Sequence, residues 1–310
     1  MRRPTSTDCD ATRAERTSRP GRGYLVANSS GVEVKYRSKV RGYVAASHPG
    51  PTLVVTAATT ALAVAAGRAS GSWWVAGAVL AGQCSVGWSN DAIDAQRDQR
   101  VQRASKPIVS LLVTRREIGT ASLVAFMACI VLSLASGWRA ALIHLAAVTS
   151  AIAYNAGLKA TVLSPLPYAF SFGLLPAFVT WGLPVPAWPA PIVMFATAAI
   201  GVGAHMVNAV ADIDDDAANN VRGLPQRLGS RRALEVGTLL LLFAGVLVAV
   251  HSPRHVVAFA LVAVAAVIDV TVFVAGATGR ARLAWRLALL QALLCVAIFI
   301  VGGGSLVTSR

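Results

Sequence analysis

Asn90, Asp91, Asp94 and Asp98 close an apolar run, where carboxylates are costly. On an α-helix at about 100° per residue, with Asn90 as zero, Asp94 falls at about 40°, Asp98 at about 80° and Asp91 at about 100°. One asparagine and three aspartates therefore share a face. The spacing returns downstream, where Asn208, Asp212 and Asp216 repeat Asn90, Asp94 and Asp98. Asp215 and Asn219 fall on this second face, and Asp214 points away from it. Pro107 lies nine residues after Asp98 and Pro225 nine residues after Asp216. Basic residues precede each proline: Arg103 and Lys106 in the first copy, Arg222 in the second.

Clustered acids of this kind need neutralising by protons, by Arg or Lys, or by a divalent metal. An all-oxygen donor set favours a hard cation. Mg2+ takes one or two carboxylates, keeps several waters and bridges to phosphate oxygens. Arg97, Arg103, Lys106, Lys159 and Arg222 suit the remaining charge of a phosphate. The pattern describes a diphosphate held by Mg2+ between two acidic helix faces, with an apolar cavity for a hydrophobic tail.

The elements that must position these groups are membrane helices. Of 310 residues, 55% are hydrophobic and only 14% charged, and mean hydropathy is +0.60. This composition points to a polytopic all-α membrane protein. The net charge of +14 does not indicate nucleic acid, because the basic residues sit in the gaps between apolar runs. Cys9, Cys84, Cys129 and Cys295 are scattered without metal spacing, so neither zinc nor a disulfide is expected.

Residues 1–41 read as a disordered basic cytoplasmic tail with no signal-peptide core, and 42–310 as the transmembrane domain. Apolar spans are expected at 45–66, 71–91, 117–136, 139–157, 163–182, 189–212, 233–250, 255–276 and 284–302, each near the ~20 residues needed to cross a bilayer. Pro165, Pro167 and Pro176 predict a bent fifth span. With these nine spans, 24 of the 28 Lys and Arg fall on one side. Arg68, Arg139, Arg254 and Arg310 fall on the other, so Arg68→Ala is expected to leave catalysis unchanged. The positive-inside rule then puts the N-terminus in the cytoplasm and the C-terminus outside. Both acidic faces open on the cytoplasmic side, into one central cavity. A bacterial cytoplasmic membrane is the expected location.

Asn90-Asp91-x-x-Asp94-x-x-x-Asp98, continued by Arg103, Lys106 and Pro107, resembles the first Asp-rich motif of the UbiA superfamily of intramembrane prenyltransferases. The stretch from Asn208 through Asp212 and Asp216 to Arg222-Gly223-Leu224-Pro225 resembles the second. Tyr154-Asn155-x-x-Leu158-Lys159 is similar to the family's tyrosine-to-lysine segment after the fourth helix. The resemblance covers about residues 42–302. It implies nine helices and a Mg2+-dependent enzyme acting on an allylic polyprenyl diphosphate. The diphosphate departs, and a small, commonly aromatic, acceptor captures the allylic cation, as in quinone biosynthesis. The implied metal ligands are Asp91, Asp94, Asp98, Asp212, Asp215 and Asp216. Asn90 and Asn208 would support them, with Arg103, Lys106, Lys159 and Arg222 contacting diphosphate. Two positions depart from the pattern. Gly223 stands where the family often has Thr, and His48-Pro49 replaces an Arg-Pro pair, leaving Arg41 as the substitute cation.

Other polar residues carry two readings each. Tyr154 and Asn155 belong to the acceptor or cavity side of the same segment. His205 is a base, a cavity donor or a hydrogen-bonded core histidine. Asp269 takes a proton or binds a polar acceptor, or is protonated and bonded to a neighbouring helix. Most Trp residues lie near span ends, as interfacial belts do. Two rival classes remain. A membrane terpene cyclase of the same superfamily would ionise the same diphosphate without an acceptor. A secondary transporter would use membrane acids for cation coupling, but its acids usually lie near the midplane.

Overall fold

The computed structural model describes residues 29–100, 102–213, 216 and 221–307, with side chains described from Ser38 onward. Residues 1–28, Asp214, Asp215 and Asn219 lie outside the described residues, and so do Cys9 and Arg310. The chain divides into Met1–Arg37 and Ser38–Arg310, and everything below concerns the second unit. Among the described residues every regular element is helical.

Helix α1 spans Ser29–Ala46, α2 Pro49–Ala65, α3 Gly71–Arg100, α4 Arg115–Leu134 and α5 Trp138–Ala156. After a 3-10 turn at Leu158–Ala160 come α6, Pro165–Trp181, and α7, Pro191–Ala209. A second 3-10 turn, Val210–Asp212, continues α7. The short α8 covers Leu224–Leu228, followed by α9 at Ser230–His251, α10 at His255–Ala277 and α11 at Ala281–Val301. The starts follow local chemistry. Proline opens α2, α6 and α7, where its missing N–H costs nothing. Thr114 and Glu117 form a reciprocal capping box on α4.

A helix lies over each stretch read as a span. Among the described residues five helical segments are long and apolar enough to cross a membrane: Arg115–Leu134, Pro191–Asp212, Ser230–His251, His255–Ala277 and Ala281–Val301. Helix α3 runs past the expected end of its span, so its last turns carry the aspartates beyond the apolar part. Residues 29–41, expected to be structureless, belong to α1. Its C-terminal end gains tertiary partners that a basic composition does not reveal. Lys39 pairs with Glu117, and the Tyr43 ring meets Trp88 edge-on at 6.1 Å.

The helices close a ring. Helix α3 packs along α4 and α2, α5 on α6, α6 on α7, α7 on α9, α9 on α10, α10 on α11, and α11 returns to α2. Small side chains permit this: Ala78, Ala140, Ala177, Ala196, Ala244 and Ala288 are fully buried. Large apolar side chains such as Leu123, Val131, Phe195 and Val267 point outward and stay exposed. That distribution is the reverse of a water-soluble bundle and suits a lipid surround.

Candidate active site

The aspartates of α3 are buried, with Asp91 2%, Asp94 5% and Asp98 2% exposed. Basic side chains reach them from three directions. Behind α3 the chain turns back, with Arg103 N–H on the Asp98 carbonyl at 3.0 Å. That return aims Lys106 at the helix, and its Nζ donates to Asp91 Oδ1 at 2.6 Å. Pro107, Ile108 and Val113 are buried, and the latter two form a small core with Ala46, Ala95 and Ile118, which fixes the loop.

Lys159 comes from the turn after α5. Its Nζ donates to Asp94 Oδ1 at 2.5 Å and Oδ2 at 2.6 Å, and reaches Asn90 Oδ1 at 3.5 Å. Arg97, one turn below on α3, donates to Asp94 Oδ2 at 2.9 Å. The third direction is the corner between α1 and α2. His48 caps α2 in the left-handed region, at φ 52° and ψ 65°, and its Nε2 lies 3.1 Å from Asp91 Oδ1. Gly87 allows this corner to touch α3, because a Cβ there would sit 2.8 Å from the Ser47 carbonyl oxygen. A left-handed histidine is uncommon, and such strain gathers at functional sites. Arg41, the substitute expected from sequence, is exposed; His48 itself reaches the aspartates.

The two acidic motifs meet through Arg103. Its guanidinium pairs with Asp212 and lies 4.0 Å from Asp98 Oδ1. Asp216 Oδ2 accepts from Gln226 Nε2 at 2.8 Å. Burial raises the Asp98 carboxyl above its ordinary pKa, against the pull of Lys106, Arg97 and Arg103. Burial likewise raises Asp216. The Lys159 ammonium is lowered by burial, against the pull of Asp94.

The second motif departs from the ideal helical face. Helix α7 tightens to a 3-10 turn at Val210–Asp212, which advances about 120° per residue rather than 100°. Asn208 lies in α7 just ahead of this turn and is exposed. Arg222 is exposed as well, and its side chain pairs with no acid among the described residues. Asn155 is buried as a tie between helices, donating to the Val86 carbonyl at 2.9 Å and Ser89 Oγ at 2.8 Å. Asp269 lies in α10 and accepts from Gln291 on α11 at 3.1 Å. His205 is buried beside Ser164 Oγ, at 3.1 Å. It stacks on Tyr168 at 4.5 Å and meets Tyr154 edge-on at 5.5 Å. Sequence reasoning missed Tyr168, Ser164 and Gln226. Only the basic residue in an Arg-Pro position pointed to His48.

The acceptor inventory bears on a metal. Asp91 Oδ2 and Asp98 Oδ1 are buried without a hydrogen-bond donor. Among the described residues no three His, Cys, Asp or Glu side chains converge on one point; lysines and arginines hold the carboxylates instead. Two orphaned carboxylate oxygens in an all-oxygen set fit a hard cation such as Mg2+.

Residues 52–291 match the sequence profile of the UbiA prenyltransferase family. Among curated proteins none matches. The fold is similar to the apo structure of a UbiA homologue from Aeropyrum pernix K1, at TM-score 0.64 and 19% identity, covering 81% of this chain and 97% of that one. A UbiA homologue from Archaeoglobus fulgidus bound to DMAPP and Mg2+ is similar at TM-score 0.60 and 15% identity, covering 83% and 99%. A digeranylgeranylglyceryl phosphate synthase is similar at TM-score 0.58 and 17% identity, covering 86% and 98%. At these identities the structural likeness speaks for the fold alone. The profile match spans most of the chain and includes both aspartate motifs, and on that ground the chain belongs to the UbiA prenyltransferase family.

Proposed function

We propose that this protein is a Mg2+-dependent intramembrane prenyltransferase that ionises an allylic polyprenyl diphosphate between its two aspartate motifs and passes the prenyl group to a small aromatic acceptor. The observation that carries the reading is the junction at Arg103, which pairs with Asp212 and approaches Asp98, beside two buried carboxylate oxygens without donors. An Archaeoglobus fulgidus homologue of the same fold binds DMAPP with Mg2+, and another structure of that homologue holds GPP with Mg2+.

Asp91, Asp94 and Asp98 on one side, and Asp212 and Asp216 on the other, would hold the metal. Asp215 lies outside the described residues and joins them on spacing alone. Mg2+ would supply positive charge at the departing diphosphate. Lys106 and Lys159 hold aspartates of the first motif and Arg103 joins it to the second, and their donors would turn from carboxylate to phosphate oxygens. Breaking the allylic C–O bond leaves diphosphate on these cations and an allylic cation beyond them. Tyr154, Tyr168 and His205 pack on one another and would form an aromatic floor for that cation, excluding water and offering ring faces to positive charge. A bond from the acceptor to the prenyl carbon then forms, and the acceptor releases a proton.

The proposed topology is nine crossings, with the N-terminus cytoplasmic, the C-terminus outside and the cavity opening to the cytoplasm of a bacterial cell. The bias of 24 among 28 basic residues supports it. Residues 1–41 would be the cytoplasmic tail and 42–310 the catalytic domain.

The test is a turnover assay on purified protein in nanodiscs, with Mg2+ and geranyl, farnesyl or geranylgeranyl diphosphate. Pyrophosphate release that needs 4-hydroxybenzoate, dihydroxynaphthoate or homogentisate is the expected result. Cyclic hydrocarbons or alcohols formed without an acceptor would make the protein a terpene cyclase. No pyrophosphate from any diphosphate, with or without acceptor, would overturn the reading.

A further inference from the structure

Ser164 closes the loop between α5 and α6 and is fully buried, at 0% exposure. Its Oγ accepts the Leu224 N–H at 3.1 Å and lies 3.1 Å from His205 Nε2. A hydroxyl has one proton and two lone pairs. With Leu224 as donor to one lone pair, the hydroxyl meets His205 Nε2 with its proton or with its second lone pair, according to the imidazole tautomer. One side chain thus joins three separate segments: the turn that carries Lys159, helix α7, and the loop after the second motif.

The other half of the joint is Gly223. A Cβ at this position would sit 2.5 Å from the Lys159 carbonyl oxygen, 2.7 Å from Gln226 Oε1 and 3.1 Å from Ser164 Oγ. Its φ of −64° and ψ of 175° would suit any residue, so the demand for glycine is one of space. The loop is seated directly on the backbone of Lys159. From that seat two arms extend. On one side Lys159 Nζ reaches Asp94 of the first motif. On the other, α8 brings Gln226 to Asp216 of the second.

We infer that Ser164 is a positioning residue. By clasping the Leu224 backbone, with Gly223 seated on Lys159, it fixes the separation between the lysine on the first motif and the carboxylate on the second, and so sets the width of the diphosphate site. The inference rests on the diphosphate reading above. A group that only stabilised the fold would change thermal stability and leave substrate affinity alone. A positioning group changes KM more than kcat.

The experiment uses the full chain in nanodiscs and whichever of geranyl, farnesyl or geranylgeranyl diphosphate the wild type turns over best. Ser164→Ala should speed hydrogen exchange in peptides covering 221–228 by about tenfold. It should raise KM for the diphosphate and the half-activating Mg2+ concentration about fivefold to tenfold, with a smaller fall in kcat. Gly223→Ala reaches the same end by pushing the loop off Lys159 and should move the same readouts further. Ser164→Thr keeps the hydroxyl and should restore protection and KM. Unchanged exchange in Ser164→Ala would show that no clasp exists. Faster exchange with unchanged KM and Mg2+ dependence would reduce Ser164 to a structural role and overturn the inference. A wild type that turns over no prenyl diphosphate defeats the diphosphate reading and this inference with it. A working wild type that Ser164→Ala matches in every readout defeats the inference alone.

Discussion

The two ends of α3 use buried cations differently. Near Arg100, lysine and arginine meet three buried aspartates, and two carboxylate oxygens are left over without a donor. Near Gly71, Arg68 is also buried, at 9% exposure, but it faces no carboxylate among the described residues. Its guanidinium donates to the Val179 carbonyl at 3.3 Å and to Ser136 Oγ at 3.1 Å. Val179 lies in the last turn of α6, where its carbonyl accepts the Gly182 N–H at 3.3 Å besides Arg68 and the helix dipole favours positive charge. Arg139 completes that end, over the rings of Trp138 at 5.0 Å and Trp181 at 5.7 Å. The atoms left over there are the Trp181 indole Nε1 and the neutral Ser72 hydroxyl, and neither carries charge. Orphaned carboxylate oxygens are anionic and attract a cation, whereas an indole N–H and a neutral hydroxyl do not, so the acidic end suits an exchangeable site and the opposite end a cap.

The largest expected effect breaks the contrast at the acidic end. Asp94→Asn or Asp212→Asn should lower turnover by about a thousandfold or more, since each removes charge from the proposed metal and diphosphate site. Pyrophosphate release measures it, with size-exclusion and circular dichroism confirming the fold. Turnover within about tenfold of wild type in both variants would place the chemistry elsewhere. The cations come next. Lys159→Ala and Arg103→Ala should each lower kcat/KM by about ten- to a hundredfold. Arg222→Ala should lie close to wild type, because its side chain is exposed and pairs with no acid among the described residues. A loss in Arg222→Ala equal to that of Lys159→Ala would show that the loop closes onto substrate.

At the opposite end the expected effect is on stability. Arg68→Ala leaves the buried Ser136 hydroxyl without its donor and the Val179 carbonyl with the Gly182 N–H alone, which costs roughly 1–3 kcal/mol. Thermal unfolding in detergent should show the loss, while kcat per folded molecule stays at the wild-type value. The sequence supports only half of this outcome. It reads Arg68 as a topology residue on the far side, which correctly separates it from the aspartates. Its burial under α6 depends on contacts more than 100 positions away, with Val179 and the loop after it, and no local pattern records them.

The same division runs through the site. The first motif is legible because Asp91, Asp94 and Asp98 lie on one uninterrupted helix, so helical spacing maps directly onto a face. The second is legible in composition but not in geometry, because α7 gives way to a 3-10 turn at Val210–Asp212, where a wheel drawn at about 100° per residue no longer holds. Lys159 and Lys106 stand out as cations in an apolar sequence. Ser164 and Gln226 do not, since a serine or glutamine carries no sign of a partner on a distant helix. His48 shows the intermediate case, a basic residue at a suggestive position whose left-handed backbone only the fold explains.

The smallest effect sharpens the comparison most, because it concerns a cation that is exposed. Arg139 and Trp138 both lie at the surface, and the guanidinium contacts ring faces rather than acids or carbonyls. Such a contact is worth roughly 0.5–1 kcal/mol at an exposed site, less than the cap made by Arg68. Arg139→Ala should therefore lower the unfolding temperature by less than Arg68→Ala does, and Arg139→Lys should retain part of the difference because a lysine ammonium also favours a ring face. Turnover should be unchanged in both. If Arg139→Ala instead lowered turnover while sparing stability, the opposite end would be coupled to the chemistry. Its cations could then no longer be treated as a cap, and the contrast between the two ends of α3 would fail where it is most exposed to test.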